Sequence, residues 1–520
     1  MAAGTGNLEY YLPEEALPYC YISTLLADDA NYCKQIFPKS TVFQYDYLND
    51  DVALLFESQI DITNINVPTK MPPKLMNDLN NPDIKWIIFI NPPFATANDG
   101  ALKRDIKKDA VSFTKVRELM TEENLGETSR ELFSQFLWRI NREFGDKTAY
   151  LGMFSKIKYI NAHNDHKMRE NFFNYSYERG FVFPAKAFHG TKGKFPVGFL
   201  VWNLAERKPL YEQTIKADIF DERLEKIGIK TIPSIERGVS LNKKWVPRYK
   251  NDNGVLPPFS SALNPAFEHK DIRNRVAIGF LASCNSNGND FQHQKNSMLL
   301  STPYVSAGAF SVTPDNFERA MILLAVRLIE KATWLNDRDQ FLEPTTEDFD
   351  DYFVSDCVVW TLFSRSNETV SLSDVEYDGK TYQIKNNMYP FLLSEVQGWK
   401  CSLYDVQNRL ATANSDRFAA KWLSKRKLSE KAQAVIDSAR EVYEEFYANL
   451  GSLRFPKYKI TNWDAGFYQV RKSLEEADTA LDELELLYEA HRKLGGVILP
   501  RIYEYGFLSG GQSLYADEDE

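Results

Sequence analysis

Between residues 19 and 204 short apolar runs alternate with longer polar or amphipathic stretches. The runs are YCYISTL (19–25), TVFQYDYL (41–48), KWIIFI (85–90), TAYLGMF (148–154), RGFVFPAKAF (179–188) and VGFLVWNL (197–204). A chain written this way has few options for hiding its apolar residues. Runs rich in Val, Ile, Tyr and Phe read as strands, and the alternation is that of βα units around a mostly parallel sheet. The segment SRELFSQFLWRINREFG (129–145) places Leu132, Phe133, Phe136, Leu137 and Ile140 at helical spacing. The expected fold class for this part is therefore α/β and doubly wound.

The regular alternation fades after residue 204. At 520 residues the chain exceeds what one hydrophobic core organises, so further domains are expected. Residues 205–400 are rich in aromatics, Asn and Pro and read as a mixed α/β region, with one dense helix in PDNFERAMILLAVRLIEKATW (314–334). Residues 401–520 read as helical. The helices are EKAQAVIDSAREVYEEFYANL (430–450) and VRKSLEEADTALDELELLYEAHRKL (470–494), the second ending at Gly495-Gly496. The ADEDE tail reads as a solvated end.

Composition narrows the class of function. A net charge of −10 argues against indiscriminate polyanion binding and leaves room for a local basic cleft. The N-terminus MAAGTGNLEYYLPEE lacks a basic region followed by an apolar core, and no apolar stretch is long enough for a membrane span. These features point to the cytoplasm and to no membrane partner. The five cysteines form no CxxC pair, so reduced structural thiols are expected and no metal site. His163 and His166, three apart, lack an evident third ligand.

Chemistry concentrates at strand ends. IIFI runs into Asn91-Pro92-Pro93-Phe94, and two prolines remove two backbone donors, so a sheet ladder must stop there. At background proline usage, an Asn, Asp or Ser followed by Pro-Pro-aromatic arises by chance in about one chain in fifty of this length. The Asn91 side-chain oxygen and the Pro92 carbonyl could hold the two hydrogens of an aryl amine, a poor nucleophile because its lone pair is delocalised. Catalysis of methyl transfer to it would be positioning and electrostatics, with no covalent enzyme intermediate. Phe94 could stack on the base, a contact worth about 1–3 kcal/mol. Near the start, AAGTGN supplies Gly4, Thr5, Gly6 and Asn7, either a turn that lets backbone approach a cofactor or an ordinary terminus. Asp46 follows the second run, either accepting from an exocyclic amine or serving its own turn, and Tyr47 or Leu48 could cover a purine face. In an open α/β sheet the carboxyl ends of strands are where ligands bind.

These residues resemble the S-adenosylmethionine-dependent amino-methyltransferases, and within them the DNA adenine-N6 methyltransferases of restriction-modification systems. AAGTGN looks like the glycine-rich cofactor motif, Asp46 like the adenosine-contacting acid and NPPF like the catalytic motif, in that order. The resemblance covers residues 1–204. It implies a Rossmann-like methyltransferase core with a mostly parallel seven-stranded sheet, S-adenosyl-L-methionine as methyl donor, double-stranded DNA as substrate and a base flipped into the NPPF pocket. It further implies a target-recognition region over 205–400 and a helical region over 401–520. The family's later aromatic wall corresponds to Phe188, with Phe195 as a second candidate, and core packing is the alternative role for either. The family's first strand and the helical motif before it have no counterpart ahead of MAAGTGN. The resemblance thus implies an upstream segment or a partner chain that completes the sheet, and a separate restriction endonuclease as companion.

IERGVSLNKKWVPRYK (235–250) carries Arg237, Lys243, Lys244, Arg248 and Lys250 against Glu236, a balance of 5 − 1 = +4, with Trp245 and Tyr249 interleaved. KWLSKRK (421–427) adds four more basic residues. Both read either as a DNA path or as solvated surface. Two other readings stand beside the favoured one. The same corner serves methylation of guanine N2 in RNA or of protein glutamine. A chain without its first strand could also be a non-catalytic nucleic-acid-binding subunit.

Overall fold

The computed structural model describes residues 2–56, 69–93, 114–188, 193, 195–235, 245–249, 274–283, 290–301, 309–401, 404–453 and 463–514. The fold is mixed α/β, with several sheets, and divides into two compact units. The first unit comprises Met1–Arg237, Thr333–Asp339 and Gly510–Glu520.

All six apolar runs of the first unit are strands. β1 (Tyr21–Thr24) and β2 (Thr41–Gln44) pair in parallel, Tyr21 opposite Thr41, with helix α1 (Ala27–Ile36) between them in sequence. They form a two-stranded sheet of their own. Helix α2 (Pro73–Asn80) leads to β3 (Trp86–Ile90), and helices α3 (Lys115–Glu122) and α4 (Leu132–Phe144) lead to β4 (Ala149–Lys156). Then follow β5 (Tyr175–Pro184), β6 (Pro196–Arg207), β7 (Ile215–Phe220) and β8 (Lys226–Ile232). A seven-stranded sheet has the order Gly511–Leu514, β8, β7, β5, β6, β4, β3.

That sheet is not the mostly parallel one expected. Of its six pairings only β3·β4 and β5·β7 are parallel. The cause lies in the connections, because a parallel neighbour needs a crossover of a dozen or more residues. β6 returns through residues 185–195 and inserts between β4 and β5, antiparallel to both. β7 and β8 are joined by a tight turn in which Asp221 Oδ1 accepts from the backbone N–H groups of Arg223 and Glu225, each at 2.8 Å.

The α4 face follows from its periodicity. Phe133, Phe136, Leu137 and Ile140 bury in one cluster with Ile88, Ile90, Leu151 and Met153. Fully burying such side chains stabilises by about 1.5–3 kcal/mol each relative to exposure. On the opposite face Phe154, Phe181, Phe183, Phe188 and Phe195 cluster with Val197, while Ile87 at the outer end of β3 stays 83% exposed.

The second unit, Gly238–Ala332 with Gln340–Ser509, holds a four-stranded sheet, Phe310–Val312, Gly279–Ser283, Ser297–Leu300 and Asn367–Glu368 in spatial order, and a hairpin, Leu372–Tyr377 with Lys380–Ile384. Its helices include α5 (Phe317–Ile329), α6 (Phe353–Leu362) and α7 (Glu430–Asn449), the last capped by Ser429 Oγ accepting from Ala432 N–H. The segment expected as one helix over 470–494 is two, α8 (Phe467–Ala477) and α9 (Leu481–Glu504). They are separated where Asp478 and Ala480 take φ of 53° and 51°. Gly495-Gly496 does not end α9. A Cβ at Gly495 would lie 3.1 Å from Trp360 Nε1, so the bare backbone lets α9 approach α6 closely. That packing outweighs the roughly 1 kcal/mol that glycine costs inside a helix. Among the described residues no helix is long and apolar enough to cross a membrane.

Candidate active site

β3 and β4 run in parallel with Ile90 opposite Met153, so their carboxyl ends share one edge of the sheet. β6 runs the other way, and its register, Val197 opposite Lys156, brings Phe195 to that same edge. β5 ends there too, Pro184 opposite Pro196, with Phe188 just beyond. Asn91, Pro92 and Pro93 follow β3 directly, and Phe94 lies outside the described residues. The Asn91 side-chain Oδ1 is buried and, among the described residues, has no hydrogen-bond partner. An acceptor in that state costs about 1–3 kcal/mol of desolvation, a cost that a bound donor would offset.

The glycine-rich segment sits against β1. Ala3 N–H donates to the Ser23 carbonyl at 2.9 Å, and Gly6 N–H to the Ala3 carbonyl at 3.0 Å, closing a turn. Gly4 and Gly6 have φ of 57° and 78°, the left-handed region that glycine tolerates. A Cβ at Gly6 would come within 2.5 Å of the Phe37 ring, whereas Gly4 has no neighbouring atom within 4 Å of that position. Gly6 is required by packing. Gly4 leaves room for another molecule to approach the backbone, and Thr5 and Asn7 in the same turn are exposed.

Asp46 and Tyr47 turn out to be engaged locally. Asp46 Oδ1 accepts from Leu48 N–H at 3.1 Å and Oδ2 from Asn49 Nδ2 at 2.8 Å, while Asp46 N–H donates to Asp50. The carboxylate thus organises the turn over 46–50. Tyr47 is only 6% exposed, stacked 5.4 Å from Phe136, with Arg139 over its other side at 4.4 Å and its hydroxyl on Glu143. Leu48 is buried as well. Neither side chain presents a face to a purine, because both are buried in the core, Tyr47 against α4.

Arg139 is the hub of this wall. Fully buried, it donates to Glu143 Oε1 at 2.8 Å, the Asp50 carbonyl at 2.8 Å, Tyr45 Oη at 2.7 Å and the Tyr47 carbonyl. Burial alone would lower its pKa, and the Glu143 carboxylate with the two phenols reverses the shift and holds it above the ordinary value. Burial likewise pushes the Tyr45 and Tyr47 phenols up.

Phe188 packs at 5.8 Å from Phe154 and 5.4 Å from Phe183. Phe195 is approached by two cations, Lys156 Nζ at 5.6 Å and the Arg338 guanidinium at 5.7 Å from its ring centre. Of the basic segment, Arg237, Lys243, Lys244 and Lys250 lie outside the described residues. Arg248 belongs to the second unit and sits 5.0 Å over Phe310. Trp245, interleaved among these basic residues, is core, packed on Phe507 and Phe349. His163 and His166 do meet, ring centres 5.4 Å apart, and His166 Nδ1 lies 2.8 Å from the His163 carbonyl.

Two residues at this edge carried no sequence signal. Lys156 ends β4, and Asn161, at the end of the short helix that follows, is fully buried with neither side-chain amide atom hydrogen-bonded among the described residues. A single Lys and a single Asn have no spacing to betray them; only the strand order brings the end of β4, and the chain that follows it, to the sheet edge that carries Asn91.

No family model matches the chain, and no curated protein does. Among solved structures, the chain is similar to an ATP-dependent Type ISP restriction-modification enzyme, LlaBIII, bound to DNA, at 12% identity with a TM-score of 0.26. The match covers 56% of this chain and 22% of that one. A likeness of that extent defines neither fold nor activity.

Proposed function

We propose that the first unit is the catalytic core of a DNA amino-methyltransferase that takes S-adenosyl-L-methionine as methyl donor and adenine N6 as acceptor. The observation that carries this reading is the buried, unpartnered Asn91 Oδ1 at the carboxyl end of β3, locked by Pro92 and Pro93. Asn91 Oδ1 and the Pro92 carbonyl accept the two hydrogens of the amine and turn its lone pair out of the ring plane. Phe94 is the residue assigned to stack on the base. The cofactor supplies an electrophilic methyl group. Of the residues assigned to hold it, the Gly4–Asn7 turn fits, because the space beside Gly4 is open. Asp46 and Tyr47 do not offer the assigned contacts, since turn and core already use them.

The separation of β1·β2 from β3 bears on the partner. Among the described residues β1 pairs only with β2, and β3 is an end strand. Tyr21 and Trp86, the first residues of β1 and β3, have rings 6.1 Å apart, so long side chains bridge the gap between the two strands at that end. Ala3 N–H donates to Ser23 O on the side of β1 away from β2, so the Ala3 segment begins the neighbour on that side. A further parallel strand from another polypeptide segment fits between β1 and β3 and joins the two sheets into one, which open strand edges favour.

Calorimetric titration with S-adenosyl-L-methionine, followed by nucleoside analysis of duplex DNA incubated with the labelled cofactor, tests the reading. N6-methyladenine is the expected product. Label in guanine N2 of RNA or in glutamine would reassign the substrate. A folded chain that binds no cofactor, alone or with a strand-supplying segment, would refute the enzyme reading and favour a nucleic-acid-binding subunit.

A further inference from the structure

Lys156 occupies a position that its own surroundings do not satisfy. It is partly buried at the end of β4, and among the described residues no carboxylate lies within ion-pair distance of its ammonium group. The nearest acid in electrostatic terms, Glu131, is held at 2.6 Å by Lys158. Arg338 shares the Phe195 ring with Lys156, is itself only 14% exposed, and turns its Nε toward Asp337 at 3.0 Å. Two cations thus share one aromatic ring at the sheet edge that carries Asn91. A ring quadrupole returns about 0.5–2 kcal/mol per cation, which does not replace a lost anionic partner. Burial, together with Lys158 and Arg338, holds the Lys156 pKa below the ordinary lysine value against the pull of Glu131.

From this geometry we infer that Lys156 and Arg338, braced on Phe195, form a phosphodiester-binding site that grips the DNA backbone next to the nucleotide presented to Asn91. The inference rests on the proposed function and adds to it the contact that positions the strand. Phe195 is then a support for cations and not a base clamp. The arrangement is matched to an oxyanion: a lysine ammonium acts as a compact point charge and a guanidinium adds fixed N–H donors. Phosphate contacts fix register without reading sequence, so the site serves whatever base follows.

The test is binding of a fluorescein-labelled duplex by the full chain, measured by anisotropy between 50 and 300 mM salt. Each phosphate neutralised contributes about 0.9 to the slope of log K against log salt. Lys156→Met is expected to reduce that slope by about 0.9 and weaken binding about five-fold at 0.15 M salt, and Lys156→Arg to retain it. Lys158→Met, which removes a cation already paired with Glu131, is expected to leave the slope unchanged. If the wild-type chain binds DNA with a normal slope and Lys156→Met does not alter it, the phosphate assignment fails and the proposed function stands. If Lys156→Met instead weakens S-adenosyl-L-methionine binding at constant DNA slope, the anion is the cofactor's carboxylate and the assignment is overturned. If the wild-type chain shows no salt-dependent DNA binding, both readings fall. Circular dichroism of each variant, with Lys156→Arg as the folded reference, separates these outcomes from misfolding.

Discussion

Replacing Arg139 by Leu should destabilise the first unit more than any surface change near the site. The guanidinium satisfies Glu143, the carbonyls of Tyr47 and Asp50, and the Tyr45 hydroxyl from a fully buried position. Hydrogen bonds to charged groups are worth about 1.5–3 kcal/mol each, but summing them overshoots, because the carbonyls regain water once the 46–50 turn loosens. The better measure is the removal of one member of a buried ion pair, about 3–5 kcal/mol, most of it the penalty on the Glu143 carboxylate left behind. For a unit of this size 1 kcal/mol moves the melting temperature by about 2–4 °C, so a drop of about 6–20 °C is expected in calorimetry of the full chain. Hydrogen exchange at Leu48 N–H, which Asp46 accepts, should accelerate in parallel. Arg139→Leu combined with Glu143→Leu removes both charges and should recover part of the loss. A single-variant drop under about 3 °C, or a double variant no better than the single, would refute the account of Arg139 as the brace of this turn.

Asn91→Ala should lower methyl transfer about 100-fold or more, the scale of losing a positioned electrostatic group, with S-adenosyl-L-methionine affinity unchanged in calorimetry; equal loss of both would move Asn91 to the cofactor. Phe94→Ala should weaken a complex with an extruded adenine by about 1–3 kcal/mol in a 2-aminopurine fluorescence assay, while affinity for intact duplex holds. In the second unit, burial pushes the pKa of His491 down to about 4, against the hydrogen bond its Nε2 donates to the Trp360 carbonyl and with Arg365 adding to the decrease. The folded unit therefore keeps His491 neutral while the unfolded chain titrates near 6.5. This contribution is complete above pH 6.5, declines as pH falls toward 4 by about 3 kcal/mol in all, and is flat below. Urea unfolding followed across that window should show the decline, and His491→Gln should flatten it; a variant with the same pH slope would place the proton elsewhere.

What the sequence determined by itself was local. Period-two runs bounded by turn residues gave six strands of the first unit within a few residues, and 3.6-residue spacing gave α4, since both patterns follow from backbone geometry. Asn91-Pro92-Pro93 was legible for the same reason: proline's missing N–H ends a ladder wherever it stands. Strand order and direction were not legible, because pairing depends on which edges meet across long loops. β6 therefore entered between β4 and β5 antiparallel, and the sheet became mixed. The roles of Asp46 and Tyr47 also awaited the fold, which placed α4 and Arg139 against them and turned expected ligand contacts into structure. Gly495, a stop signal by propensity, became a packing surface once Trp360 lay against it. Lys156 and Asn161 carry no motif at all, and only the shared carboxyl edge of β3 and β4 made them part of a site, because proximity in a sheet is fixed by tertiary pairing and not by distance along the chain.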